Sequence, residues 1–408
     1  ILSTKILVRL GLISYSSYLW HQPLFAYTRR AKGNLDLQII TDFVLIFITF
    51  VIAYLSWRFI EKPFRNRNFL STKTLFGLSF IMLIIVILLG ISSKSVTRGN
   101  EYTLAKTLAN NKFVYFENMS ERKFIEGRLM FNLKKVDHVL VGSSRIKEIN
   151  SEMIGEPILN LWVSGASVED DLAFLLEAAA KLSPKTVYIA ADPWLLNKFD
   201  RQNRYQSVDE LYQYWLAKLD TGDDDLKPFY ENSAKDKHKK IEFTFLHKLI
   251  QSIKFKDLSI ATNNEIEAVA KISYDGSHIY NEAKINNMSD ISEEFDVLLN
   301  YGMKEFSYDK RAEIILVKLI SFLSIKGFDV KLILSPYHPE LYKRMKLEKP
   351  IFIKLEKEFR RIANENNISI IGSYDPSFVG CIEKEFYDGI HPTGICMSKA
   401  MNVRTTNE

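Results

Sequence analysis

From about residue 137 onward the chain alternates short apolar runs with amphipathic stretches. This predicts an α/β domain, a parallel sheet covered by helices on both faces. Ahead of it lie three long runs almost free of charge, which predict transmembrane helices. A third observation concerns chemistry. Val141-Gly142-Ser143-Ser144-Arg145 closes the first strand of the domain and Tyr387-Asp388-Gly389-Ile390-His391-Pro392-Thr393 follows the last, so a serine and an Asp-x-x-His both fall on loops.

The apolar runs come first. Leu10 to Thr28 has no charge, Leu37 to Trp57 has only Asp42, and Leu75 to Ser93 has none. Each approaches the roughly 20 residues that cross a bilayer, and Tyr and Trp near their ends suit the interface. A cleaved signal peptide accounts for one run, not three. Residues 1–100 hold 12 Lys+Arg against 3 Asp+Glu, a net of +9, while the remaining 308 hold 42 against 46, a net of −4. The basic excess is membrane-proximal, which argues against nucleic acid as a partner of the domain that follows. Lys62, Arg65, Arg67 and Lys73 favour a cytoplasmic loop after the second run, which sends everything beyond the third run outward. Arg29, Arg30 and Lys32 in the other short loop pull the opposite way.

Ser95 to Val136 is mixed and polar with aromatic anchors at Phe113, Tyr115 and Phe116, and reads as a linker with some helix that packs on the domain after it. The domain then runs as strand 137–142, helix 145–153, strand 157–161, helix 168–182 with Leu172, Leu175 and Leu176 on one face, and strand 186–191. Between about 198 and 307 the pattern loosens into charged, aromatic-spotted helices and polar loops, an insertion suited to a lid or binding surface. Asp223-Asp224-Asp225 and Lys235 to Lys240 within it read as solvated surface, and no Cys-x-x-Cys or His cluster suggests a metal. The core resumes with helix 309–326, strand 330–334, a loop 335–339 in which His338 either lines the pocket or caps, helix 350–366 and strand 368–371.

Sites in open sheets of this kind gather at the carboxyl ends of the strands. A serine hydroxyl there needs a base within hydrogen-bond reach, and Ser144 with His391, oriented by Asp388 three residues earlier, meets that need. Tyr274-Asp275-Gly276-Ser277-His278 repeats the spacing, but inside the insertion, so Asp388 and His391 are preferred. Taken singly, Gly-Ser-Ser is equally a helix cap and Asp-Gly-Ile-His-Pro an ordinary turn.

Together these blocks resemble an SGNH (GDSL-type) hydrolase or acyltransferase domain, with Ser144 at the nucleophile position and Ser143 where that family often has Asp. The resemblance implies a flavodoxin-like sheet. It also implies that Gly165, in the block Asn160-Leu161-Trp162-Val163-Ser164-Gly165-Ala166-Ser167, donates its N–H to an oxyanion. The third block departs from the pattern: Asp192, in Asp192-Pro193-Trp194, stands where the family usually has an oxyanion Asn. An ionised Asp cannot donate, so either Asp192 is protonated, or Asn197 serves, or backbone alone does. Ser14-Tyr15-Ser16-Ser17-Tyr18-Leu19-Trp20-His21-Gln22-Pro23 and Trp57-Arg58-Phe59-Ile60-Glu61-Lys62-Pro63-Phe64-Arg65 resemble the last two helices of the membrane-bound acyltransferase family 3 core. The earlier helices of that family are not in this sequence, which opens at Ile1 with a motif under way and reads as an N-terminally truncated fragment.

The two resemblances imply a three-part chain: a transmembrane region 1–94, a linker 95–136, and an SGNH-like domain 137–408. They imply an O-acyltransferase of the bacterial inner membrane, multi-pass, with its C-terminal domain periplasmic. It would take acetyl from acetyl-CoA in the full-length protein, with no other cofactor, and pass it to a polysaccharide or lipopolysaccharide acceptor. An extracytoplasmic carbohydrate esterase or deacetylase, or a non-catalytic glycan-binding domain, fits the same residues. Cys381 and Cys396 bracket the Asp388 to His391 loop, either as a disulfide that pins it or as two free thiols.

Overall fold

The computed structural model describes residues 5–32, 39–65, 71–111, 113–115, 119–131, 133–200, 203–222, 225–230, 270–280 and 292–403. The chain divides into two compact units, Ile1–Lys94 and Ser95–Glu408. In the first, helices α1 (Lys5–Lys32) and α2 (Ile39–Ser56) pack on one another, and a π-helical turn Trp57–Glu61 extends α2. Helix α3 (Thr72–Asn110) begins in this unit. Among the described residues one helical stretch is long and apolar enough to cross a bilayer, Phe43–Phe64, with a mean hydropathy of 2.2 over its window. Its large side chains face outward, Phe43 at 68% and Phe47 at 69% exposure. The run in α1 is diluted by His21, Gln22 and Pro23, and that in α3 extends into side chains outside the described set. Three spans were expected, and one meets the requirement among these residues.

The segments 14–23 and 57–65 of this unit meet. Ser16, 2% exposed, donates its hydroxyl to Glu61 Oε2 at 3.0 Å, so a small hydroxyl on α1 satisfies a carboxylate at the end of α2. His21 instead bonds within its own helix, Nδ1 to the Tyr18 carbonyl at 2.7 Å.

Among the described residues the second unit has eight strands: β1 (Phe113–Tyr115), β2 (His138–Gly142), β3 (Ile158–Trp162), β4 (Thr186–Ala190), β5 (Lys271–Ser273), β6 (His278–Ile279), β7 (Asp329–Leu334) and β8 (Ser369–Gly372). Five form a parallel sheet in the order β3-β2-β4-β7-β8. Numbered among themselves these strands run 2-1-3-4-5, the flavodoxin-like order. The order reverses beside β2, so the crevice at the carboxyl ends of β2 and β4 is where such a sheet opens a site. Helices α4 (Glu121–Met130), α5 (Val168–Leu182), α6 (Asp209–Thr221), α7 (Lys310–Ile325), α8 (Pro339–Glu348), α9 (Pro350–Glu365) and α10 (Gly394–Asn402) complete the unit. α5 packs on β2, α7 on β7, α9 on β7 and β8, and α10 on β8.

The strands form because their residues are apolar on both sides: every residue of β2, β3 and β4 is buried, as a sheet covered on two faces requires. α5 begins where Ser167 and Asp170 close a capping box and runs to Leu182, with Leu172, Leu175 and Leu176 fully buried at helical spacing.

One expectation is corrected. The helix expected over 145–153 is a 3-10 turn, Ser144–Ile146, and a separate short helix, Ser151–Ile154. Asn160 Nδ2 donates to the carbonyls of Ile146 (2.9 Å) and Ile149 (3.0 Å), which takes the acceptors a continuous helix would use. Within residues 95–136, β1 pairs antiparallel with β5, and Leu104, Leu108, Phe124 and Leu129 lie in the same core as the sheet. α8 and α10 lie beyond the expected elements, with His338 and Thr393 at their N-caps. Of the insertion, α6 packs on α5 and buries Trp215, while Asp223, Asp224 and Lys235 to Lys240 lie outside the described residues.

Candidate active site

Gly142 ends β2 at φ +145°, and a Cβ there would sit 2.2 Å from the Ala190 Cβ of β4. Only glycine lets the chain turn this close to the neighbouring strand, and the turn presents Ser144 at the top of the sheet. Its Oγ lies 2.8 Å from His391 Nε2, across 247 residues of sequence. His391 Nδ1 is 2.7 Å from Asp388 Oδ2, and Asp388 Oδ1 accepts the N–H groups of Ile390 and His391 at 2.8 Å each. These bonds hold the imidazole with Nε2 toward the serine, because Nδ1–H is occupied by the carboxylate. Burial pushes the Asp388 carboxyl up, but the hydrogen bond from His391, its charge and the two backbone donors outweigh it and bring the group down to about 2.

The loop carrying Asp388 and His391 is tied at both ends. Cys381 and Cys396 form a disulfide with Cα atoms 5.3 Å apart, packed with Val379, Phe386 and Ala400. Phe386 and Pro392 form an isolated bridge, and Tyr387 N–H donates to the His391 carbonyl at 2.9 Å.

Gly165 lies on the loop after β3. Among the described residues neither its N–H nor that of Ser144 has a hydrogen-bond partner, so both are available to an incoming oxygen. The loop is clamped from α4, inside the segment read as a linker. Arg122 binds Asp170 through Nε and Nη2 at 2.7 Å each and reaches the Gly165 carbonyl at 3.4 Å, while Glu121 accepts the N–H and hydroxyl of Ser164. The sequence signal for this clamp was present in the adjacent Glu121-Arg122, but nothing local tells a buried Arg from a solvated one.

Asp192 and Asn197, the two side-chain candidates for the oxyanion, are engaged elsewhere. Asp192 is 2% exposed; its Oδ1 accepts Arg145 Nη1 at 2.9 Å and its Oδ2 the Ser143 hydroxyl at 2.6 Å. Both carboxylate oxygens are thus occupied as acceptors, one from a guanidinium and one from a hydroxyl. Asn197 donates to the Glu305 carbonyl and accepts the N–H groups of Phe199 and Ser307, pinning the chain where the insertion rejoins the core. Arg145 itself went unassigned in the sequence, although it directly follows the serine. His338 caps α8, its Nδ1 accepting Glu340 N–H at 3.2 Å.

The second Asp-x-x-His lies near the first. Residues 271–279 form the β5–β6 hairpin, and His278 N–H donates to the Lys147 carbonyl at 2.7 Å. The Gly276 carbonyl accepts Trp162 Nε1 at 3.0 Å. Asp275, however, binds Ser151 and Ser277, not His278. The His278 ring stands edge-on to Trp162, its Nδ1 buried without a partner among the described residues. Burial, Lys147 and His391 press its pKa down to about 3, so it is neutral wherever proteins work. Among the described residues no group of three or more His, Cys, Asp or Glu is arranged to hold a metal ion.

No protein-family model matches the chain, and no solved structure does. It is 29% identical over 126 residues to the protein named "Putative O-acetyltransferase SAR0937" of Staphylococcus aureus, covering 30% of this chain and 21% of that one. It is also 34% identical over 107 residues to O-acetyltransferase OatA of the same species, covering 26% of this chain and 18% of the relative. The matched region thus spans about a fifth of the length of these curated relatives.

Proposed function

We propose that the Ser95–Glu408 unit is an O-acyltransferase working through an acyl-serine. One observation carries it: Ser144 Oγ, His391 and Asp388 stand in a continuous chain of hydrogen bonds at the crevice of the sheet. Ser144 Oγ attacks the carbonyl carbon of an acyl donor while His391 Nε2 takes its proton. The tetrahedral oxygen is met by the N–H groups of Ser144 and Gly165, and Asp388 steadies the imidazolium. The leaving group then departs with the proton from Nε2, and acyl-Ser144 remains. An acceptor hydroxyl gives its proton to Nε2, attacks the ester and frees Ser144.

The names of the Staphylococcus relatives support acetyl as the group moved, and we infer acetyl-CoA as its ultimate donor in the full-length protein. For the acceptor we infer a hydroxyl of a cell-surface polysaccharide or lipopolysaccharide. The Cys381–Cys396 disulfide supports an oxidising compartment for this unit, and the apolar Phe43–Phe64 helix supports a membrane attachment. We infer placement in the inner membrane with several spans, and the loop charges Lys62, Arg65, Arg67 and Lys73 support this unit lying outside the cytoplasm.

The test uses the 408-residue chain in detergent with p-nitrophenyl acetate, with and without an oligosaccharide acceptor. Acetyl-Ser144 trapped by mass spectrometry, and acetyl appearing on the sugar, is the expected result. Acetate alone, undiminished by any acceptor, makes the protein an esterase. No adduct in the native chain, or an adduct that persists in Ser144→Ala, overturns the reading.

A further inference from the structure

Arg145 has no role in the acyl transfer just described, yet it is 1% exposed and bonds to three of the loops around the site. Its Nε donates to the Ile390 carbonyl at 3.0 Å, Nη1 to Asp192 Oδ1 at 2.9 Å, and Nη2 to the carbonyls of Pro336 (2.9 Å) and Ser335. The guanidinium also lies over the Tyr337 ring, 4.0 Å from its centre. The side chain thus joins the turn that carries Ser144 to the loops after β4 and β7 and to the residue preceding His391. Burial alone would weaken its charge; Tyr337 and Asp192 outweigh that and raise its pKa.

Resting on the acyl-serine reading above, we propose that Arg145 is the positioning residue of this site: by holding the Ile390 carbonyl, it sets the His391 imidazole against the Ser144 hydroxyl. The two reacting groups belong to distant parts of the chain, and their own contact is one hydrogen bond. Arg145 supplies a second connection between the same two loops, one residue from each group. A rigid planar fork suits this task because its donors diverge in fixed directions; a lysine ammonium reaches one cluster of acceptors and leaves the others. Asp192 is then the counter-ion that lets the fork be buried, which accounts for a carboxylate at a position where the resembling family has an amide.

A buried ion pair also holds a fold together, so the experiment separates stability from positioning. Arg145→Gln with Asp192→Asn removes both charges at once and leaves neither uncompensated. Arg145→Lys keeps the charge and loses the fork. The full chain in detergent is assayed for ester turnover, labelling of Ser144 by a serine-directed phosphonate, and thermal midpoint, with the core variant Leu319→Ala as a control that lowers only stability. In both Arg145 variants kcat falls on the order of 100-fold while KM stays within about 3-fold, the scale of a misplacement near 1 Å. The double variant keeps a midpoint near wild type, and Leu319→Ala keeps its kcat below its own midpoint. A folded double variant that turns over ester at the wild-type rate overturns the positioning role. A wild-type chain that neither turns over nor takes label at Ser144 overturns the reading it rests on, and the role with it.

Discussion

Two loops of this protein carry the same spacing, Asp275-Gly-Ser-His278 and Asp388-Gly-Ile-His391, and the fold uses them in opposite ways. In the second the carboxylate binds its own imidazole at 2.7 Å and the ring reaches Ser144. In the first the carboxylate binds Ser151 and Ser277, and the imidazole packs against Trp162. In the hairpin Gly276, at φ +88°, is pressed against β3, where a Cβ would lie 2.0 Å from the Asn160 carbonyl oxygen. A motif of four residues therefore specifies which groups are present, and the partner across the fold decides what they do.

The comparison breaks most visibly in turnover. Ser144→Ala and His391→Ala are each expected to lower kcat for an acetyl ester by a factor on the order of 10⁵ to 10⁶, while His278→Ala stays near wild type. Loss of activity in His278→Ala alone reverses the assignment. Asp388→Asn follows, with a drop on the order of 10⁴ from the wrong tautomer. Asp275→Asn leaves kcat in place, and steady-state kinetics of the two Asn variants side by side checks the pair.

Stability separates the loops next. Cys381 and Cys396 close a loop of 15 residues around Asp388 and His391, and the hairpin has no such tie. Replacing both by Ser is expected to lower unfolding free energy by about 3 kcal/mol in denaturant titrations. Hydrogen exchange should rise over residues 381–396 and remain unchanged over 271–280.

Acid sharpens the contrast last. His278 is held at about 3 against an ordinary value of 6.5. As pH falls through 6.5 the unfolded chain takes up a proton that the native hairpin refuses, so its contribution is full above 6.5 and declines toward 3, at up to ~1.4 kcal/mol per pH unit. Asp388, depressed from 3.8 to about 2, contributes above 3.8 and loses that contribution as pH falls through 2. Urea midpoints near pH 7.5 and 5.0 should therefore fall less in His278→Asn than in wild type, whereas Asp388→Asn should match wild type in that interval. Parallel slopes for His278→Asn and wild type would show that the ring is not held neutral.

Much of the fold was legible from local pattern. The strand ending at Gly142, the helix from Val168 to Leu182, and the final strands were all readable because apolar period is a short-range property. The turn after Ser144 was misjudged because Asn160, from the next strand, takes its carbonyls. The clamp from residues 95–136 was not legible, because the buried partner of Arg122, Asp170, lies 48 residues away.

By itself, then, the sequence determined the sheet-forming segments, the glycine turn and the chemical types at the site, since these depend on neighbours within a few positions. The tertiary structure alone decided that Asp192 pairs with Arg145 instead of donating to an oxyanion, and that Cys381 joins Cys396. Each of these is a choice among partners of equal local merit, and only the packing of strands and helices brings one partner within bonding distance while holding the others away.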